Sequence, residues 1–83
     1  MENLSFNSIG FSFQGGGINE SVYFQQGKDF GIYLLVGKDY FSVKLVCHHI
    51  EEYLFRWQGF ENPDEIVKIL KANHILHEQI FGG

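Results

Sequence analysis

Phe30-Gly31-Ile32-Tyr33-Leu34-Leu35-Val36, set between Gly27-Lys28-Asp29 and Gly37-Lys38-Asp39, is the stretch whose reading decides the fold. Phe30, Ile32, Leu34 and Val36 fall at every second position, and Tyr33 and Leu35 fill the positions between them. A period of two is the strand period, and apolar residues at both parities mark a strand covered on both sides. The flanking Gly-Lys-Asp triplets are turns, the same turn chemistry used twice and not a lasting repeat. This run is therefore the centre of a sheet, entered and left by tight turns.

The pattern extends in both directions. Upstream, Ile18, Val22 and Phe24 share one parity, while Asn19, Ser21, Tyr23 and Gln25 share the other. Before them Gly15-Gly16-Gly17 suits a hairpin loop, because glycine adopts positive φ without steric cost. Leu4 and Phe6, then Ile9, Phe11 and Phe13, alternate with a slip of parity, which predicts a first strand with a bulge near Asn7-Ser8 or two short strand pieces. Downstream, Phe41, Val43, Leu45 and Cys47 form one face of a fourth strand. After a tight turn at His48-His49 two patterns overlap. Ile50, Tyr53, Leu54 and Trp57 fit helical spacing, with Glu52 and Arg56 placed as an i,i+4 pair. The alternation of Tyr53, Phe55 and Trp57 and the aromatic enrichment favour a fifth strand over Glu51 to Gln58.

The single proline changes the regime. Asn62-Pro63-Asp64-Glu65 supplies an N-cap acceptor, a proline where its missing N–H costs nothing, and acids that favour the helix dipole. Ile66, Ile69, Leu70, Leu76 and Ile80 form one stripe, so a helix starts at Pro63 and runs to at least Ala72. Asn73 is a candidate cap, with Ile75 to Phe81 as a last turn or short helix. The whole is one α+β domain over residues 1–83. Its strands lie within 4–58 as an antiparallel meander of four to five, with the C-terminal helix on one face.

Composition bounds the function. Ten acidic residues against six basic ones give a net charge of −4, which argues against a double-stranded nucleic-acid partner. No apolar run approaches the ~20 residues that span a bilayer, so no membrane role is expected. The single cysteine, Cys47, cannot form an intrachain disulfide and fits a reducing, cytoplasmic setting. The serines lack a nucleophile elbow, and Cys47 and His48 point apart on an extended chain, so no enzymatic chemistry is indicated. No cofactor is expected.

Fourteen aromatic residues are more ring surface than a thin core needs, and the surplus points outward. The expected function is a small non-enzymatic protein–protein interaction module, an inhibitor or antagonist acting by occlusion through an aromatic sheet face or strand edge. Another protein is the expected partner, and self-association as a homodimer is expected as well. Tyr33, Tyr53, Phe55 and Trp57 are the expected anchors, with Tyr23 and Leu35 beside them on the sheet's second face. Two alternatives stand beside this one. Cys47 and His49 lie two apart on a strand, His74 and His77 three apart on a helix, and these four could converge on zinc, with Glu51 and Glu78 as oxygen donors. The tyrosines and Trp57 could also stack single-stranded bases, with Lys44 and Arg56 as neighbouring cations.

Overall fold

The computed structural model describes residues 4–7, 9–27 and 29–72 of the chain. Its elements run α1 (Leu4–Asn7), β1 (Ser12–Gly16), β2 (Ser21–Gln26), β3 (Gly31–Val36), β4 (Tyr40–Cys47), β5 (Ile50–Gln58) and α2 (Pro63–Ala72). The five strands form one antiparallel sheet in the order β1-β2-β3-β4-β5, with β3 at its centre. This is the α+β meander expected from the turns.

The turns are alike for a physical reason. Gly17, Gly27 and Gly37 each donate their N–H to the carbonyl three residues on, at Glu20, Phe30 and Tyr40 (2.9, 2.8 and 2.8 Å). In the last two the aromatic ring folds back over its glycine. A Cβ at Gly27 would lie 2.7 Å from the Phe30 ring, and one at Gly37 would run into Tyr40. The fourth hairpin turns at His48-His49, joining the cross-strand partners Cys47 and Ile50, with His48 at φ 56°.

Two elements depart from expectation. The first run is not a strand with a bulge: Leu4–Asn7 is helical, and β1 begins only at Ser12. The parity slip is a helical turn closed by glycine. Gly10, at φ +96°, donates to Asn7 O, and Phe11 N–H reaches back to Phe6 O at 3.0 Å. That pair of bonds is a Schellman ending, and it brings Phe6 and Phe11 together in the core. The triple glycine is likewise not the loop. Gly15 and Gly16 belong to β1, the register shifts between Phe13 and Gly15, and the turn lies at residues 17–20. Ile18, expected on a strand face, therefore stands fully exposed at the loop tip.

The register of β2 against β3 shows which side of β2 faces inward. Phe13, Tyr23, Leu34, Val43 and Phe55 are cross-strand neighbours in turn, so they share a face. Tyr23, expected on the second face, is buried there, edge-on to Phe6 (4.7 Å) and Phe13 (5.4 Å). Alternation alone identifies two sides of a strand and not which one is covered. Ile32, Leu34, Phe41 and Val43 complete the sheet's side of the core; Phe6, Ile9, Phe11, Ile66 and Leu70 close it from α1, its following loop and α2.

Helix α2 begins as its sequence specifies. Asn62 Oδ1 accepts the Glu65 N–H at 3.1 Å, and Glu65 Oε2 accepts the Glu61 N–H at 2.8 Å. The helix buries Ile66 and Leu70 and turns Lys68 and Lys71 to solvent. The segment expected to follow it, including Asn73, Leu76 and Ile80, lies outside the described residues. Both described helices pack on one side of the sheet, and among the described residues nothing covers the other.

Candidate interaction face

The uncovered side is built by the parity opposite to Tyr23. Phe24, Tyr33, Lys44 and Tyr53 follow one another across β2 to β5, and Val22, Leu35, Ser42 and Arg56 form the adjacent row. A bulge in β5 makes this possible: Val43 opposes Phe55 while Lys44 opposes Tyr53, leaving Leu54 as the extra residue. Without it Tyr53, Phe55 and Trp57 would share one face. With it, Tyr53 goes to the open side, and Phe55 and Trp57 go to the helix side.

The open face interleaves rings and cations. Phe24 and Tyr33 pack at 4.8 Å between centroids. Lys44 Nζ sits 5.8 Å from the Tyr33 centroid and 5.7 Å from that of Tyr53, within range of a cation–π attraction to both. It also lies 3.6 Å from the Glu51 carboxylate. In the next row the Arg56 guanidinium lies 4.7 Å over the Tyr40 ring, whose hydroxyl donates to Glu20 Oε2 at 2.6 Å. That hydrogen bond to a carboxylate, followed by desolvation, raises the Tyr40 phenol above its ordinary pKa. Glu20, Leu35, Tyr40, Ser42, Tyr53 and Arg56 enclose a shallow pocket of about 200 Å³ with Ser42 buried in its floor.

Gly31 shapes the opposite end of the face. A Cβ there would fall 2.5 Å from the Phe24 ring, so the ring packs against bare backbone. Glycine in a strand often marks such a close approach.

The expected anchors thus separate. Tyr33 is half-buried in the centre of the open face, and Tyr53 is 64% exposed at its β5 margin. Phe55 packs on Phe41 and stacks with Trp57 at 5.9 Å, while Trp57 Nε1 donates to Gly59 O at 2.9 Å. Trp57 remains 42% exposed at the edge of the helix side. Phe24, Tyr40 and Glu20 are face residues that the sequence reading passed over. Tyr40 shares the parity of Ser42 and Lys44, the signal that could have found it.

Of the zinc set, Cys47 is half-buried with its Sγ 3.5 Å from Asp29 O, and His49 is exposed in the hairpin loop. His74 and His77 lie outside the described residues, and no cluster of three or more His, Cys, Asp or Glu side chains suited to a metal occurs among the described ones. Nor is any described helix long and apolar enough to cross a membrane.

Comparison of the chain with protein-family models, with curated proteins and with solved structures finds no match in any of the three.

Proposed function

We propose that this chain is a small non-enzymatic protein-interaction module of the cytoplasm, acting by occluding the surface of another protein. The observation that carries the reading is the open sheet face, where Tyr33, Tyr53, Lys44 and Arg56 lie together with no described element upon them. Tyrosine and arginine are enriched among residues that dominate binding energy, and rings held by neighbours lose little entropy on binding. Tyr33 and Tyr53 are the anchors of this face; Trp57, stacked on Phe55, is a flanking contact at the β5 margin.

Both sheet edges support the face over the edge as the binding surface. β1 carries a bulge at Gln14 and β5 one at Leu54, and bulges twist an edge away from further strand pairing. Charge supports a protein partner over single-stranded nucleic acid. Lys44 and Arg56 are matched on the same face by Glu51 and Glu20, leaving no excess of cations to displace phosphate counterions.

The test uses the chain as bait in extract from its native host, compared with Tyr33→Ala/Tyr53→Ala and with Lys68→Ala on the exposed side of α2. A protein held by the parent and by Lys68→Ala, and held at least about 30-fold less tightly by the tyrosine variant, is the expected result for two hot-spot residues. Equal retention by all three would refute the reading. Tight, salt-sensitive binding of a single-stranded oligonucleotide, lost with Lys44→Ala, would instead favour nucleic acid.

A further inference from the structure

We infer that a second copy of this chain docks on the open face, the two sheets packing face to face about a two-fold axis near Tyr33 and Leu35. The inference rests on the open face being the binding surface, and it names an occupant. Three observations carry it.

The first is charge. The whole chain carries a net charge of −4, but the open face is balanced, with Lys44 and Arg56 against Glu51 and Glu20. Two copies can approach through a neutral face without the repulsion that their other surfaces would bring. A strongly basic or acidic partner would find no complementary field there.

The second is composition. Val22, Phe24, Tyr33, Leu35, Val46 and Tyr53 make the face largely apolar, and all but Tyr53 are already half-buried by their neighbours. Lys44 enters such an interface paired with Glu51 and lying between two rings, so its burial strands no charge.

The third is area. The four strands that build the face, β2 to β5, lie about 4.8 Å apart and rise about 3.3 Å per residue over six residues, a footprint of about 400 Å² per copy. Two such faces bury about 800 Å², the size of a weak, transient interface, which sets the micromolar-to-millimolar range of the test below. Sheets packed in this way sit about 10 Å apart with their strands roughly 30° from parallel. The bulged edges leave face-to-face packing as the open route to self-association.

A host partner and the second copy then compete for one surface. Sedimentation equilibrium of the intact chain from micromolar to millimolar concentration tests the inference without any substitution. The expected result is a rise from 9.6 kDa to twice that mass, with concentration-dependent amide shifts concentrated at Val22, Tyr33, Leu35 and Lys44. Leu35→Lys and Leu35→Glu should each hold at the single-chain mass, and their equimolar mixture should recover the doubled mass through opposite charges across the axis. A chain that stays at 9.6 kDa at millimolar concentration overturns self-docking, as do shifts confined to β5 or α2. Neither result touches the host-partner experiment, whose failure would overturn the open face itself. Should the Leu35 variants not fold, the parent's mass and shift map decide the matter alone.

Discussion

Replacing Tyr23 by alanine separates the observed register from its alternative, which sets Tyr23 beside Tyr33 on the open face instead of in the core. Tyr23 is 2% exposed and meets Phe6 and Phe13 edge-on; Tyr33 is half-buried and meets Phe24 and Lys44 on the open side. Truncating a buried aromatic removes its burial and leaves a cavity, which together cost about 3–5 kcal/mol. Tyr33→Ala forfeits one ring pair of about 0.5–1.5 kcal/mol and a partly exposed cation–π contact of about 1 kcal/mol. A chain of 83 residues holds about 4–12 kcal/mol of stability in all, at roughly 0.05–0.15 kcal/mol per residue. Tyr23→Ala therefore removes at least about a quarter of that stability, and most of it at the lower end of the range, whereas Tyr33→Ala costs clearly less. Urea titrations followed by far-ultraviolet circular dichroism supply both midpoints. A Tyr23→Ala variant no less stable than Tyr33→Ala would place Tyr23 on the open face and refute the register from which that face is built.

Three smaller perturbations test other parts of the structure. Asn62→Ala removes the side-chain acceptor that the Glu65 N–H shares with the Asn62 carbonyl and should cost about 1 kcal/mol, seen as a fall in Tm of about 4–8 °C, whereas Asn62→Asp should be nearly neutral. Gly10→Ala forces a side chain to φ +96° and brings its Cβ to 3.0 Å from Gln25 Nε2; it should lose about 1–2 kcal/mol in chemical denaturation, and an unchanged midpoint would dismiss the Schellman ending. Because the Tyr40 phenol is raised above its ordinary value, its contribution is complete below the unfolded tyrosine pKa near 10 and is lost as pH rises through the folded value. Melting temperatures of the parent should thus fall more steeply above that pH than those of Tyr40→Phe; parallel curves would count against the bond to Glu20.

The interaction face shows where sequence reading stops. Alternation identified Tyr33 and Leu35 as the second side of β3, and there they are. It grouped Tyr53 with Phe55 and Trp57, which the Leu54 bulge divides between two faces. It paired Tyr23 with the outward residues of β2, where the packing of Phe6 and Phe13 holds it inward. A one-residue slip reverses every side chain beyond it, and a bulge leaves little local trace when the residue inserted is an ordinary Gln or Leu.

What the chain's order of residues determined by itself is local: the turns at Gly27 and Gly37, the central strand from Gly31 to Val36, and the capped start of α2 at Asn62-Pro63. Each depends on contacts between residues close in sequence, whose physics is carried by residue type and spacing. Which face of the sheet the helices cover, and so which rings and cations stand open together, was decided by tertiary structure. That choice depends on contacts between distant segments, Phe6 and Phe11 against Tyr23, Ile66 and Leu70 against the sheet, and no local pattern encodes it.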